Sequence, residues 1–175
     1  MRLLFEIDKK DYGKNDTAFI RPSVRAIIIK DKKIAMIHSI KYDYYKFPGG
    51  GVEGNEDYQD TLIREVQEET GMIVIPSSLV EYGMVHRQQK GEGDSIFIQD
   101  NYYYFCKVKK EVGLQQLDQY ELDEDFTLEF VLPTHVIEIN KAANHRLKHN
   151  KFYSVMIERD TKVLEKLIQD GIFDI

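Results

Sequence analysis

Three glutamates on one face of a predicted helix are the residues best suited to chemistry in this sequence. With the helix drawn at about 100° per residue, Glu65, Glu68 and Glu69 fall within about 100° of one another. Arg64 lies beside them, at i,i+4 spacing from Glu68. No lysine occurs between residues 47 and 71, although a solvated helix usually intersperses both signs of charge. Because Mg²⁺ prefers oxygen ligands and often bridges carboxylates to phosphates, this face suits divalent cations.

A glycine-rich loop precedes this helix, with the sequence Pro48-Gly49-Gly50-Gly51. Glycines allow the backbone to approach a ligand closely, so a carbonyl of Gly49 or Gly50 could complete a cation site. The alternative is a solvent-exposed charged helix after an ordinary loop. The glycine loop, the helix cap and the single arginine in register favour the cation site over that alternative.

The acidic charge of the chain is concentrated in this region. The 175 residues contain 24 basic and 30 acidic side chains, a net charge of −6. The stretch 47–71 alone has seven acids and one base, so the remainder is neutral. A chain without basic excess is a poor candidate for binding a long nucleic acid, because phosphate neutralisation dominates that affinity. The seven acids are Glu53, Glu56, Asp57, Asp60, Glu65, Glu68 and Glu69.

Residues 50–72 read GGVEGNEDYQDTLIREVQEETGM and resemble the box of the Nudix hydrolase family, G-x5-E-x7-R-E-U-x-E-E-x-G-U, where U is a bulky apolar residue. The resemblance implies an α+β fold, an α/β/α sandwich with a mixed β-sheet. The length of 175 residues indicates one domain over residues 1–175, and the patterning indicates a short N-terminal extension at 1–20 and C-terminal helices at 134–175. Nine positions match: Gly50, Glu56, Arg64, Glu65, Val66, Glu68, Glu69, Gly71 and Met72.

The resemblance also implies a reaction and its cofactor. Members of the family hydrolyse a nucleoside diphosphate linked to a group X, giving a nucleoside monophosphate and phosphorylated X, with Mg²⁺ or Mn²⁺. Carried onto this chain, Glu68 and Glu69 would be the principal metal ligands, together with the Gly50 carbonyl. Glu65 would be a further ligand or the base that activates water. The alternative is a non-catalytic nucleotide-sensing module, but such modules tend to lose box carboxylates, and this chain retains them.

Two further box residues have implied supporting roles. Arg64 would orient Glu65 through a charge-assisted hydrogen bond. Glu56 would support the metal site from behind the ligands. An additional ligand or base often comes from a later loop in this family. The sequence does not indicate which of the downstream acids has that role, and a solvated loop is the competing interpretation. These acids are Glu121, Asp123, Glu124, Asp125 and Glu129.

Candidate substrate contacts lie outside the box. Tyr45, within an aromatic trio just before the glycine loop, could contact substrate, although packing is the competing interpretation. Arg25 and Arg87 lie on predicted strands and could bind phosphate or pair with acids. His145 and His149 have zinc-like spacing, but a solvated helix end is the favoured interpretation because no HExxH glutamate lies between them.

The surrounding elements are predicted from apolar patterning and turn residues. Asn55 is the expected helix N-cap and Gly71 the residue that ends the helix. Strands 24–29 and 34–40 are expected to form a hairpin around the turn 30–33. Alternation along residues 102–105 sends neighbouring aromatic rings to opposite faces of a sheet. The remaining strands are predicted at 3–7, 72–75, 80–87, 95–108 and 126–132, and two helices at 134–145 and 152–169.

Composition narrows the setting and the substrate. The single cysteine, Cys106, and the lack of an apolar stretch or signal peptide predict a cytoplasmic protein that does not bind membranes. We expect a small-molecule nucleotide substrate, and a homodimer could form through residues 1–20. The residues that mark ADP-ribose or dinucleoside polyphosphate specificity are absent from the stretch 86–89. A (d)NTP or a nucleotide sugar fits equally well.

Overall fold

The computed structural model describes residues 1–173, which form three β-sheets, one of them a two-stranded pair, and four α-helices. The helices are α1 (Tyr58–Thr70), α2 (Gln119–Asp123), α3 (Pro133–Leu147) and α4 (Lys151–Gln169). The strands are β1 (Leu3–Asp8), β2 (Thr17–Ile20), β3 (Ser23–Ile27), β4 (Ile29–Lys30), β5 (Lys33–Ser39), β6 (Tyr44–Lys46), β7 (Met72–Val74), β8 (Val80–Lys90), β9 (Ser95–Phe105), β10 (Val108–Val112) and β11 (Phe126–Val131).

The first sheet is mixed and is built around a long hairpin. Strands β8 and β9 pair antiparallel through ten residue pairs, from Val80↔Phe105 to Lys90↔Ile96. Strand β1 adds in parallel to β8, and both β2 and β3 add in parallel to β9. The expected mixed sheet is therefore confirmed. The stretch 1–20, expected to be an extension, contributes the two strands β1 and β2 to this sheet.

The second sheet is antiparallel, with β5 paired to β4, β6 and β11. Only Ile29 and Lys30 form the expected hairpin with β5, around Asp31 and Lys32, which both have positive φ. The longer hairpin predicted from residues 24–29 is wrong. The reason is that β3 pairs with β9 in the first sheet, so the chain changes sheets near Ile28.

Three layers result from the alternation of side chains along β9. Tyr102 and Tyr104 pack on the side of α1, in a cluster with Leu62. Tyr103 and Phe105 pack on the other side, in a cluster with Leu164 of α4. Burial of apolar surface on both faces stabilises the sheet between two helical layers. This arrangement confirms the predicted α/β/α sandwich.

Three other details differ from the sequence prediction. The strand predicted over 95–108 is divided at Cys106 into β9 and β10, because β10 pairs with β7 instead. The short helix α2 was not predicted. The C-terminal helices α3 and α4 are both present, each one to two residues longer than expected at one or both ends. Within residues 1–173, none of the helices combines the length and the apolar character that a membrane crossing requires.

Candidate active site

Helix α1 orients the box glutamates, and its ends are set by two specific residues. Asp57 caps the N-terminus by accepting a hydrogen bond from the Gln59 N–H (2.8 Å). The prediction that Asn55 is the cap is wrong, because Glu56 lies outside the helix and its carboxylate is held by Arg64. Gly71 ends the helix in the left-handed conformation, as expected. The glutamates therefore occupy the last two turns of α1.

Arg64 connects three carboxylates of the box. Its Nε and Nη2 donate to both oxygens of Glu56, at 2.9 Å each. Its Nη1 donates to Glu65 at 2.9 Å and to Glu68 at 2.8 Å. The guanidinium fork suits this geometry because its donors are coplanar and permanently charged. The hydrogen bonds from Arg64 lower the pKa of Glu56 to about 2.

Gly50 makes room for Glu65. A Cβ atom built on Gly50 would lie 2.2 Å from the Glu65 carboxyl carbon, so any side chain at this position would displace that carboxylate. The Gly50 carbonyl accepts a hydrogen bond from the Val24 N–H at 3.0 Å, which holds the loop against β3. Burial, followed by the negative charge of Glu69, raises the pKa of Glu65.

Glu69 is the most buried of the box carboxylates, with 2% of its surface exposed. One oxygen accepts from the Lys46 Nζ at 2.8 Å, and the other accepts from the Gly49 N–H at 2.7 Å. Lys46 is also 3.7 Å from Glu121, a buried residue of α2. One ammonium group therefore serves two buried carboxylates that come from different parts of the chain.

Glu121 is the downstream acid that shares Lys46 with the box glutamate Glu69 in the described structure. Its side chain accepts from the Asp118 N–H at 2.9 Å, as part of a capping box at the start of α2. Burial, then the charge of Glu69, raises the pKa of Glu121 to about 7. Glu124 also lines the cavity, but it accepts hydrogen bonds from the Tyr44 and Tyr153 hydroxyls. Glu129 instead pairs with His38.

The donor set around Glu69 is chemically suited to a divalent cation. Within residues 1–173, no group of three His, Cys, Asp or Glu side chains already stands in a metal-binding arrangement. Glu69 points to Lys46 and Gly49, and Glu65 and Glu68 point to Arg64. Even so, Glu65, Glu68, Glu69 and Glu121 share two cations, Arg64 and Lys46, and burial followed by the charge of Glu69 raises the pKa of both Glu65 and Glu121. Clustered carboxylate oxygens with excess negative charge fit Mg²⁺ or Mn²⁺.

A cavity of about 720 Å³ opens in front of these residues. One group of lining residues, here called the carboxylate wall, consists of Glu65, Glu68, Glu69 and Glu121. A second group, here called the arginine wall, consists of Arg25, Arg87 and Arg159. A cavity of this size accommodates a nucleotide-sized ligand. The lining also includes the glycines Gly49, Gly50 and Gly51 and the aromatic residues Tyr44, Phe97, Tyr120, Phe126, Phe152 and Tyr153.

Of the three substrate contacts suggested by the sequence, two line the cavity and one does not. Arg25 and Arg87 line the cavity. Tyr45 is not among the cavity-lining residues; its ring is buried against His38 and its hydroxyl donates to Glu129 at 3.0 Å. Tyr44 lines the cavity instead. Neighbouring residues of a strand point to opposite faces, so Tyr44 and Lys46 share the face that Tyr45 does not.

Sequence reasoning missed Lys46, Arg159 and the particular position of Glu121. Strand alternation through residues 44–46 would have placed Lys46 on the same face as Tyr44. The spacing of Asp118 and Glu121 is that of a capping box, which indicates a short helix. Arg159 has no such local pattern, because its role in the cavity depends on how α4 packs against β9.

Comparison with known proteins identifies relatives of the chain. The NUDIX domain family model matches residues 20–155. An ADP-ribose pyrophosphatase of Methanocaldococcus jannaschii is 36% identical over 102 residues, covering 54% of this chain and 60% of that protein. Nudix hydrolase 2 of Arabidopsis thaliana is 28% identical over 104 residues, covering 56% of this chain and 37% of that protein. The chain thus spans less than two thirds of the length of either curated relative.

A solved structure provides an independent comparison of the fold. The crystal structure of a MutT NUDIX hydrolase from Burkholderia pseudomallei aligns with a TM-score of 0.50 at 17% identity. The alignment covers 66% of this chain and 85% of that one. At this level of identity the likeness concerns the fold alone.

Proposed function

Because the chain belongs to the NUDIX domain family, we propose that it is a divalent-metal-dependent hydrolase that cleaves the diphosphate linkage of a nucleoside diphosphate derivative. The products would be a nucleoside monophosphate and phosphorylated X. The observation that carries this proposal is the carboxylate wall, which lines one nucleotide-sized cavity together with Arg25. Carboxylates that can hold a divalent cation, with a guanidinium group in the same cavity, suit the metal-assisted hydrolysis of a diphosphate.

The cation in this proposal is Mg²⁺ or Mn²⁺, held by Glu68, Glu69 and Glu65 with the Gly50 carbonyl. Glu121 would complete the set, since it shares Lys46 with Glu69. When bound, the cation supplies Lewis-acid stabilisation of the charge that develops on the phosphoryl group. Glu65 or Glu121 would accept the proton of the attacking water, and the two assignments stay open.

The chain's own cations prepare the site for a polyanionic substrate. Arg64 holds Glu65 and Glu68 side by side, which limits their rotation before substrate binds. Lys46 holds Glu69 at the base of the cavity. Arg25 donates to the Gly49 carbonyl, and the Gly49 N–H donates to Glu69, so Gly49 connects Arg25 to the carboxylate wall. We assign to Arg25 a contact with the diphosphate on the basis of this connection.

The substrate is the open part of the proposal. A (d)NTP and a nucleotide sugar both fit the cavity, and ADP-ribose is added because one relative is named an ADP-ribose pyrophosphatase. The second candidate function is a non-catalytic nucleotide-sensing module. The intact set of box carboxylates favours catalysis over sensing.

The decisive experiment is a hydrolysis panel with the full chain and Mg²⁺, Mn²⁺ or EDTA. Inorganic phosphate would be measured with and without a coupled phosphatase, so that monophosphate products are detected. The panel includes (d)NTPs, ADP-ribose, nucleotide sugars, dinucleoside polyphosphates and capped or triphosphorylated RNA. Metal-dependent turnover of one class supports the proposal. Nucleotide binding without turnover of any class would favour the sensing module.

A matched pair of variants tests the carboxylate wall. We expect Glu69→Gln to fold normally and to lose about 1,000-fold or more in turnover, because the amide cannot hold the cation as a carboxylate does. The control is Glu138→Gln, which makes the same change at an exposed position of α3 and should retain full turnover. Wild-type turnover by Glu69→Gln would contradict the assignment of Glu69 as a metal ligand.

A further inference from the structure

The arginine wall brings together three arginines from distant elements. Arg25 lies on β3, Arg87 on β8 and Arg159 on α4. Their exposed fractions are 9%, 1% and 1% of their surface, respectively. Buried arginines are normally paired with acids, because an uncompensated charge in the interior is costly. The partners of these three side chains therefore show whether their charges are compensated and their donors are hydrogen-bonded.

Arg87 has neutral partners. Its Nε and Nη2 donate to the Gln89 side-chain oxygen at 3.0 and 2.9 Å, and Nη2 also reaches the Phe152 carbonyl at 3.3 Å. Its guanidinium stacks between the rings of Phe97 and Phe152, at 5.2 and 5.3 Å from their centroids. Among the described residues it takes part in no ion pair. Burial, followed by the like charge of Arg159, lowers the pKa of Arg87 to about 9.

Arg159 and Arg25 retain unused donors. Arg159 donates to Asp160 at 2.7 Å and to Asn101 at 2.5 Å, but within residues 1–173 its Nη2 is buried without a hydrogen-bond partner. The Arg25 Nε is likewise buried without a partner in this part of the chain. Among residues 1–173, Asp160 is the one carboxylate that forms an ion pair with the wall, and it also accepts from the Tyr103 hydroxyl. The wall therefore has two unmet donors and excess positive charge.

We propose that the arginine wall binds a phosphoryl group that the substrate carries in addition to the diphosphate cleaved at the carboxylate wall. This inference rests on the proposed function and narrows its substrate class. Planar guanidinium groups match the oxygens of a phosphate, and three of them provide charge that a neutral sugar cannot compensate. The rings of Phe97 and Phe152 hold Arg87 in place before the ligand arrives. Substrates with an additional phosphate should therefore be preferred over otherwise identical ones without it.

The alternative is a structural role, in which the arginines only attach α4 to the first sheet. The two interpretations differ for Arg87→Met, which removes a buried charge and preserves much of the side-chain volume. A structural arginine would leave the variant less stable. If the wall is a ligand site, the variant should have an unchanged or higher Tm without ligand, because repulsion from Arg159 and Arg25 is relieved. The control is Arg146→Met, a half-exposed arginine of α3 that pairs with Asp43.

The first test is binding of inorganic phosphate and pyrophosphate in EDTA, measured by calorimetry and by the rise in Tm. This readout requires neither metal nor turnover, so it is independent of the proposed hydrolysis. We expect binding to the wild type and to Arg146→Met, with an affinity at least about tenfold weaker for Arg87→Met. If Arg87→Met does not fold, Arg87→Lys replaces it, with a loss of several-fold because the planar fork is gone. Equal affinity in the variant, or no binding by the wild type, would overturn the proposal.

The second test compares diphosphates that differ by one phosphate. NADPH with NADH, and coenzyme A with its 3′-dephospho form, are matched pairs. In whichever pair is turned over, we expect kcat/KM to favour the phosphorylated member by about tenfold or more in the wild type, and by much less in Arg87→Met. An equal preference in both proteins would overturn the inference while leaving the hydrolase proposal intact. Phosphate binding that Arg87→Met weakens, without turnover of any diphosphate, would support the phosphate site and contradict the hydrolase proposal.

Discussion

The two walls of the cavity balance their charges in different ways. On the carboxylate wall, each box glutamate accepts hydrogen bonds from a cation, either Arg64 or Lys46. On the arginine wall, one carboxylate, Asp160, pairs with one of the three guanidinium groups, that of Arg159, and two buried nitrogens have no partner among the described residues. The box carboxylates of the first wall thus have hydrogen-bond partners in the free protein, whereas two nitrogen donors of the second wall have none among the described residues. Unsatisfied buried groups of this kind are a better indication of a ligand site than charge alone.

The largest expected effect on stability comes from removing Lys46, the lysine that pairs with two buried glutamates of the carboxylate wall. Lys46→Met should lower the free energy of unfolding by about 3–5 kcal/mol, because Glu69 and Glu121 would remain buried without their shared partner. The same change at Arg87 is expected to leave stability unchanged, so the two variants test the contrast between the walls. Urea unfolding at neutral pH provides the measurement.

A surface ion pair provides the control for Lys46. Lys141 pairs with Glu165 at 2.8 Å, but its side chain is 62% exposed. Lys141→Met should therefore change the free energy of unfolding by less than about 1 kcal/mol. If Lys46→Met were no more destabilising than Lys141→Met, the buried carboxylates would not depend on Lys46, and the contrast with the arginine wall would fail.

The next effect concerns the geometry of the carboxylate wall. Gly50→Ala should reduce turnover by about 100-fold, equivalent to about 2.7 kcal/mol, because the added Cβ would lie 2.2 Å from the Glu65 carboxyl carbon. The measurement is steady-state kinetics on the substrate found in the panel. The loss should appear mainly in kcat, since the proposed function makes Glu65 a ligand of the cation or the base for the attacking water.

Gly54 is the matched control for Gly50. It has a left-handed backbone, with open space around the position of an added Cβ. Gly54→Ala should lower stability by roughly 1 kcal/mol through backbone strain, yet leave turnover unchanged. A similar loss of turnover in both variants would indicate that loop flexibility, and not the contact with Glu65, explains the effect.

The contrast between the walls also explains which parts of the molecule the sequence predicted. The box glutamates lie within fourteen residues of one another, from Glu56 to Glu69, so one helix and one loop are sufficient to align them. Arg25, Arg87 and Arg159 come from two strands and the last helix. Their meeting depends on strand register and on the packing of α4, neither of which local periodicity encodes.

The same reasoning applies to the fold. Apolar patterning predicted most elements, and the resemblance to the Nudix family implied the three layers, which form through burial on both faces of β9. It failed for the long hairpin at residues 24–29, because pairing of β3 with β9 is a long-range contact. Asn55 was preferred as the cap because its own type suits that position. The ion pair between Glu56 and Arg64 moved the start of the helix to Asp57.

The smallest expected effect tests the outward face of the strand that carries Arg87. His86 points away from the cavity and pairs with Asp100 at 2.7 Å. Burial lowers the pKa of His86, but the hydrogen bonds to Asp100 and Gln88 together with the negative charges of Asp100 and Glu6 outweigh it and raise that pKa above the ordinary value near 6.5. A raised pKa in the folded state stabilises the protein below about pH 6.5, and this contribution disappears as pH rises through the folded pKa.

His86→Gln should therefore be less stable than the wild type at pH 5.5, by less than about 1 kcal/mol because the pair is partly exposed, and equal to it near pH 9. Urea unfolding at both pH values measures the difference, with His149→Gln at the exposed turn before α4 as the control. Turnover should be unchanged, whereas Arg87→Met, one residue later, should alter substrate preference. A stability difference that grows with pH would show that Asp100 does not raise the pKa of His86. A change in substrate preference would mean that the two faces of β8 are not functionally distinct.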